Sequence, residues 1–206
     1  MTTHIHWLGH DAFRIDGPPI VYFDPFQLGE AGPRADLILI THDHFDHCSP
    51  DDLAKVRGPK TVVAGPKEVA AKLKGSVEVL AAGETKELAG IEVRAVPAYN
   101  VNKKFHPKKD GKIGFVISLG GKTYYHAGDT DRIPEMNGLA PDVALLPVSG
   151  TYVMTADEAA DAARSLKARV VIPMHYGSIV GSDADAAKLA RLLTGSGIEV
   201  VIKKKE

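Results

Sequence analysis

The sequence predicts an α/β chain of the α+β kind, folded as a four-layer αββα sandwich with two central sheets and helices outside. Three observations predict it. The first half is a succession of short β-type runs punctuated by Gly and Pro, and the second half alternates apolar strands with two helices that carry their own start signals. No low-complexity or linker-like stretch cuts the chain, so residues 1–206 are expected to form one domain.

In chain order, HIHWLG, AFRI, IVYFD, DLILIT, TVVAG, VEVL and IEVRAV read as strands, with turns at DGPP, GEAGP, RGPK and AAGE. That pattern suggests a mostly antiparallel sheet. Two helices interrupt it. One opens at Ser49, with Pro50 in its first turn and Asp52 three residues after the cap, and the other is PKEVAAKLK, residues 66 to 74. GFVISLGGKTYYHAGD reads as a hairpin turning near Gly120 and Gly121, after which DVALLPV, VVIPMHY and EVVI alternate with the two capped helices. Thr155 to Glu158 is a capping box that opens a face of Ala159, Ala162, Ala163 and Leu166; Ser182 to Asp185 opens one of Ala186, Leu189, Ala190 and Leu193.

Composition narrows the function. With 44% hydrophobic residues and 25 basic against 26 acidic side chains, the chain has a core and no global electrostatic footprint for nucleic acid. No apolar stretch reaches membrane-spanning length, and MTTHIHWLGHDAF lacks the basic start and apolar block of a signal peptide, so a cytoplasmic protein is expected, with no membrane partner. The single cysteine, Cys48, excludes an intramolecular disulfide and reads as a small buried residue at a helix start. Lys103, Lys104, Lys108 and Lys109 form a local basic cluster; they read either as a solvated loop or as a device that steers an anionic small-molecule substrate.

The chemistry is concentrated in THDHFDH, residues 41 to 47, directly after the apolar run DLILI. Given 9 His and 16 Asp in 206 residues, a chance His-x-His-x-Asp-His occurs on the order of once in a thousand such chains. So many polar groups at the end of a buried strand are costly without a partner, and a metal supplies one. His42 and His44, two apart, can face one centre, while Asp46 and His47 on the following turn can face a second. Four other apolar strands also end in a ligand-type residue: IVYF in Asp24, IEVRAVPAY in Asn100, TYYHAG in Asp129 and VVIPM in His175. Side chains delivered from several strand ends are how such sheets assemble a site, so these ends are expected to converge.

THDHFDH resembles the His-x-His-x-Asp-His signature of the metallo-β-lactamase-fold hydrolase superfamily, and YYHAGDT and IPMHYG resemble its later aspartate and histidine motifs, in the same order. WLGHDAF, DPF, HAGDT and PMHYG are most similar to the small cytoplasmic branch related to ascorbate-phosphate lactonases. The resemblance implies a metallo-β-lactamase fold, with His42 and His44 on a first metal, Asp46, His47 and His175 on a second, and Asp129 bridging them. It also implies a third histidine for the first metal after VRAVPAY, where this chain has Asn100. Either His106 folds back to coordinate, or Asn100 or water fills the place, or the first site is weak and the protein holds one metal.

Nitrogen and carboxylate donors without thiolate suit two divalent ions, zinc foremost, with manganese or iron as alternatives. Such ions activate a water for attack on a small ester, lactone or phosphodiester, with Asp46 orienting that water and accepting its proton. His10 reads as a residue lining the site or as a structural histidine. Asp24 is expected to orient a ligand histidine from behind, His126 to sit in the core or behind the ligands, and Tyr176 either to donate to a substrate oxygen or to pack. A nuclease of the same fold, a redox protein on this scaffold, and a metal-binding sensor without turnover are the competing readings. The nuclease lacks basic arms to hold a polyanion, the redox reading lacks a flavin domain and retains His44, and the sensor draws support from the missing third histidine.

Overall fold

The computed structural model describes residues 2–30 and 32–206. Met1, and Ala31 in the turn expected at GEAGP, lie outside the described residues. One sheet contains β1 (Ile5–Gly9), β2 (Ala12–Ile15), β3 (Val21–Phe23), β4 (Ala35–Leu39), β5 (Arg57–Gly65) and β6 (Glu78–Val79), side by side in sequence order. The second contains β7 (Thr85–Leu88), β8 (Ile91–Pro97), β9 (Ile113–Leu119), β10 (Lys122–His126), β11 (Val143–Pro147), β12 (Val170–Met174) and β13 (Glu199–Val200), again in sequence order. The helices are α1 (Pro50–Val56), α2 (Lys67–Lys72), α3 (Ala156–Leu166) and α4 (Asp183–Leu192).

The alternation of side chains along β4 explains why DLILI is apolar without a break. Leu37 and Leu39 face the second sheet and join Phe13, Phe23, Phe115, Ile117 and Leu145 in the central core. Ile38 and the following Ile40 face outward, where Leu53 and Val56 of α1 and Val69 of α2 cover them. A strand buried on both faces needs no polar alternation. On the other side α3 packs on β11 and α4 on β12, with Ala159, Ala163, Leu166, Ala186 and Leu189 buried as the two capped faces require. Thr155 and Glu158 make the reciprocal capping box, and the Asp185 carboxylate accepts from the Ser182 N–H at 2.8 Å.

The expectation of a mostly antiparallel first sheet is corrected. β1–β2 and β2–β3 are antiparallel, but β3–β4, β4–β5 and β5–β6 are parallel. The reason lies in the connections: α1 returns the chain to the starting end of β5 and α2 to that of β6, the connection from β3 to β4 crosses over as well, and a crossover makes parallel neighbours. RGPK, expected as a turn, instead lies within β5. Arg57 pairs with Ala35 and Val62 with Leu37, so the Gly-Pro stretch is accommodated as a bulge. The charged edge strand β7 carried no strand signal; its Lys and Glu fit an edge. The Gly120–Gly121 hairpin is as expected: Leu119 pairs with Lys122, and both glycines hold the positive φ, 60° and 71°, that a two-residue turn demands.

Strand direction is what positions the site. β1 and β3 are both antiparallel to β2 and so run the same way as β4. In the second sheet β8 and β10 are both antiparallel to β9 and run with β11 and β12. Their C-terminal ends lie along one edge of each sheet, which is where His10, Asp24, the 41–47 segment, Asn100, Asp129, Ser149 and His175 follow. Backbone bonds fasten the two edges together: Ile113 N–H donates to Thr41 C=O at 3.2 Å, and His175 N–H donates to His10 C=O at 3.1 Å.

Candidate metal centre

Two neighbouring sets of donor atoms meet at this edge. In the first, ligand atoms of His42, His44 and His106 lie within 4.8 Å of one another. His106 Nε2 is 3.2 Å from His44 Nδ1. The structure therefore brings His106 beside His42 and His44. Asn100, at the end of β8, holds the loop that carries it. Its N–H donates to His106 C=O at 2.8 Å, and its side-chain amide donates to Phe105 C=O at 2.9 Å and Tyr152 C=O at 2.6 Å. These bonds close residues 100–106 into a tight turn with His106 at φ 55°, and the ring points inward, 3% exposed.

The second set joins Asp46, His47 and His175 with His10, and an overlapping group holds Asp11, His47, Asp129 and His175. Asp129 faces both sets: Oδ1 is 3.3 Å from His47 Nε2, while Oδ2 is 3.4 Å from His175 Nε2 and 3.6 Å from His106 Nε2. Gly128 makes this approach possible. It has φ 63°, and a Cβ there would sit 3.1 Å from Thr41 Cβ and from Ile113 C=O. Of the eight non-glycine residues with positive φ among the described residues, His10, Asp24, His106 and His175 belong to this region, so backbone strain is concentrated where side chains are aimed.

Behind the donors a fixed network selects ring orientations. The buried Asp24 carboxylate accepts from Thr41 N–H at 2.8 Å, Thr41 Oγ1 at 2.6 Å and His47 Nδ1 at 2.8 Å. A carboxylate can only accept, so His47 carries its proton on Nδ1 and turns Nε2 toward Asp129. Thr41 has given its own proton to Asp24, so its oxygen accepts from His42 Nδ1 at 3.0 Å and leaves His42 Nε2 facing the cluster. Ser149 Oγ lies 2.9 Å from His175 Nδ1 and does the same for that ring. His126 is fully buried, donates from Nε2 to Asp11 C=O at 2.9 Å and stacks on Phe23; it fastens the backbone of Asp11 rather than facing the donors.

His10 Nε2 lies 3.1 Å from Asp46 Oδ2, and its ring centre is 4.2 Å from that of His175. Burial opposes ionisation of Asp46, but the His10 hydrogen bond and His47 outweigh it and hold its pKa at about 2. Burial likewise opposes charge on His47 and His175, yet Asp129, with Asp24 and Asp11 at His47 and with Asp11 at His175, raises them to about 10 and about 9. Asp11, wholly buried, is pushed well above the usual carboxylate range by burial.

The donor set fits divalent cations. His10 Nδ1, both Asp11 oxygens and His42 Nε2 are buried with no hydrogen-bond partner, and His47 Nε2 and Asp129 Oδ1 face each other at 3.3 Å without forming a hydrogen bond. Each such atom costs roughly 1–3 kcal/mol unless something compensates it, and a metal shared by several would do so. All are nitrogen or oxygen; Cys48, fully buried with its thiol pushed up to about 11 by burial, points to no thiolate ligand.

Other expected roles resolve differently. Tyr176 stacks on Trp7 at 4.8 Å and lines, with His10 and Ser178, a second cleft of about 690 Å³. Lys103 pairs with buried Asp131, and Lys108 pairs with Glu135 at 2.8 Å, so these two lysines anchor the loop. Sequence reasoning missed Asp11, Thr41, Ser149 and Lys112, whose buried Nζ is 3.1 Å from His44 Nε2. What marks Asp11 is the direction of β1, which runs with β3 and β4 and carries the residue after His10 to this edge.

Among the described residues no helix is long and apolar enough to cross a membrane. Residues 4–175 match the β-lactamase superfamily domain. The chain is 36% identical to a UPF0173 metal-dependent hydrolase of Pyrococcus abyssi, over 98% of this chain and 97% of that one. In structure it is similar to a protein from Parabacteroides distasonis named as a metal-dependent hydrolase, with TM-score 0.88, 33% identity, and 98% and 93% of the two chains covered. It is also similar to Igni18, a metallo hydrolase from Ignicoccus hospitalis, with TM-score 0.81, 25% identity, and 98% and 94% covered. The chain thus belongs to the β-lactamase superfamily, within its metal-dependent hydrolases of metallo-β-lactamase fold.

Proposed function

We propose that the protein hydrolyses a small ester, lactone or phosphodiester with a metal-activated water, using two divalent ions, zinc by the chemistry of the donors. His42, His44 and His106 would hold one ion and Asp46, His47 and His175 the other, with Asp129 between them. The observation that carries this reading is Asp129, whose two oxygens face His47, His175 and His106 at 3.3 to 3.6 Å. When bound, such ions lower the pKa of a shared water and polarise the scissile oxygen.

The chain's own residues supply the rest. Asp46, ionised at neutral pH and held by His10, orients the water and receives its proton. A carboxylate with a pKa of about 2 keeps a proton only briefly, so orientation is the larger part of its role. Asp24, Thr41 and Ser149 fix the rings, so little reorganisation is needed when charge develops. Metal analysis of freshly purified protein, followed by an ester, lactone, thioester and phosphodiester panel with each metal restored, tests the proposal. Two equivalents and turnover are expected; one equivalent, or none of the panel hydrolysed, overturns it.

A further inference from the structure

The donor atoms open to solvent through a cleft of about 320 Å³, lined by His44, Phe45, Asp46, Phe105, His106, Asp129, Tyr152 and Ile179. Its floor is polar and its rim is not. Phe45 is 67% exposed, Phe105 50% and Ile179 41%, which makes the rim half of the six large apolar side chains the protein leaves exposed among its described residues. Exposing such groups together is costly, and a patch of this kind beside a reactive centre marks a recognition surface. The rim is also held in place. Phe105 meets Tyr152 edge to face at 4.8 Å, and Phe45 meets Phe26 at 5.9 Å, so these rings are braced in position.

Cationic groups that could recognise an anion are directed elsewhere. Lys103 is paired with Asp131 and lies 3.7 Å from Glu158, Lys108 is paired with Glu135 and lies over the Tyr99 ring, and Lys112, 6% exposed, is buried against His44 Nε2 at 3.1 Å and lies 3.9 Å from Asp43; no lysine or arginine is among the described residues lining the cleft. We infer that the substrate carries an uncharged apolar or aromatic group beside its scissile bond, seated among Phe45, Phe105, Tyr152 and Ile179. The inference rests on the hydrolase reading above and narrows it: apolar acyl esters or lactones are taken, and substrates with a charged group at that position are rejected. The volume suits a small molecule, and the continuity of the rim with Asp46 and Asp129 places the apolar group next to the reacting bond.

The test uses hydroxamates, which chelate metals and are not hydrolysed as esters are. Aceto-, butyro-, hexano- and octanohydroxamate are titrated into zinc-loaded protein by calorimetry. Affinity is expected to rise by up to about fourfold per added methylene until the cleft is filled, and a chain of hexano length ending in a carboxylate is expected to bind at least about tenfold more weakly than its apolar counterpart. Ile179→Ala and Phe105→Ala should each flatten the chain-length dependence. Metal-free protein is titrated in parallel with the uncharged dye prodan, which should bind wild type and lose affinity in the Ile179→Ala/Phe105→Ala double variant. A flat hydroxamate series, a carboxylate-ended chain that binds as well, or prodan that fails to bind or binds both proteins equally overturns the inference. So does sedimentation showing a dimer that Phe45→Ala dissociates, since a second copy would then cover the rim. If the chain-length dependence appears but no substrate is turned over, the hydrolase reading fails and the apolar site stands.

Discussion

His47 is locked from behind by Asp24: its Nδ1 donates to the Asp24 carboxylate at 2.8 Å inside the core, and Nε2 is thereby aimed at Asp129, 3.3 Å away. The same carboxylate accepts from Thr41, which in turn orients His42. One buried acid therefore governs a donor in each set. Asp24→Ala is expected to weaken binding of both metals by about 10- to 100-fold, measured by competition with a chelator. Thr41→Val, which leaves the Asp24–His47 bond in place, should weaken mainly the site containing His42. Equal losses in the two variants would show that the network does not divide in this way.

Asp46 allows the proposed catalysis to be tested apart from architecture. Its carboxylate is partly exposed at the cleft and is held by His10, and it takes no part in the core. Asp46→Asn should lower turnover by about 100-fold or more while shifting the thermal midpoint little. A variant that retains both metals and the wild-type rate would remove Asp46 as proton acceptor and move attention to His10.

The metal-free protein stores protons where a metal would bind. With pKa values of about 10 and about 9, His47 and His175 are protonated at pH 7 in the absence of metal, so an ion must displace those protons. Binding at pH 7 should release about two protons from these rings, read by calorimetry in buffers of different ionisation enthalpy, and affinity should climb with pH until both have titrated. The stability of the metal-free form should move the other way. Raised histidine pKa values contribute fully below the unfolded value of 6.5 and lose that contribution as pH rises through about 9 and 10. A metal-free protein whose unfolding free energy is flat from pH 6.5 to 10 would contradict the assignment.

What could be read from the sequence followed from periodicity and strand ends. Leu37 to Ile40 announced a strand covered on both faces, Thr155 and Glu158 announced a helix start, and Asp24, Asp129 and His175 stood out because a polar residue at the end of a buried run must find a partner. Strand direction was less legible. It depends on whether a connection doubles back or crosses over; the two helices were legible, but not that they and the β3–β4 connection cross over to make β3 to β6 parallel. Asp11 and Ser149 were hidden for a related reason: each matters only once its strand's direction places it on the same edge as the histidines. Lys112 was obscured by its neighbours. In NKKFHPKKDGK it reads as one more solvated lysine, yet it is 6% exposed while Lys104 and Lys109 stay in solvent.

The end of β8, where the resemblance implies a histidine, gives the sharpest test, because the function proposed above divides that task between two residues. His106 brings a nitrogen to His42 and His44, and Asn100 brings His106 there. His106→Ala should reduce affinity for the first metal by roughly 100-fold or more, as loss of a direct ligand exceeds the usual cost of losing a supporting partner. Asn100→Asp tests the second half. The substitution keeps size and could even add a ligand oxygen, but it turns a donor facing the carbonyls of Phe105 and Tyr152 into an acceptor facing them, with repulsion in a buried turn. If Asn100 works by closing the loop, Asn100→Asp lowers first-metal affinity in the same direction as His106→Ala, and the double variant loses little more than His106→Ala alone. If the aspartate instead raises affinity, position 100 is itself a ligand position, and His106 is a neighbour of the metal rather than its third histidine.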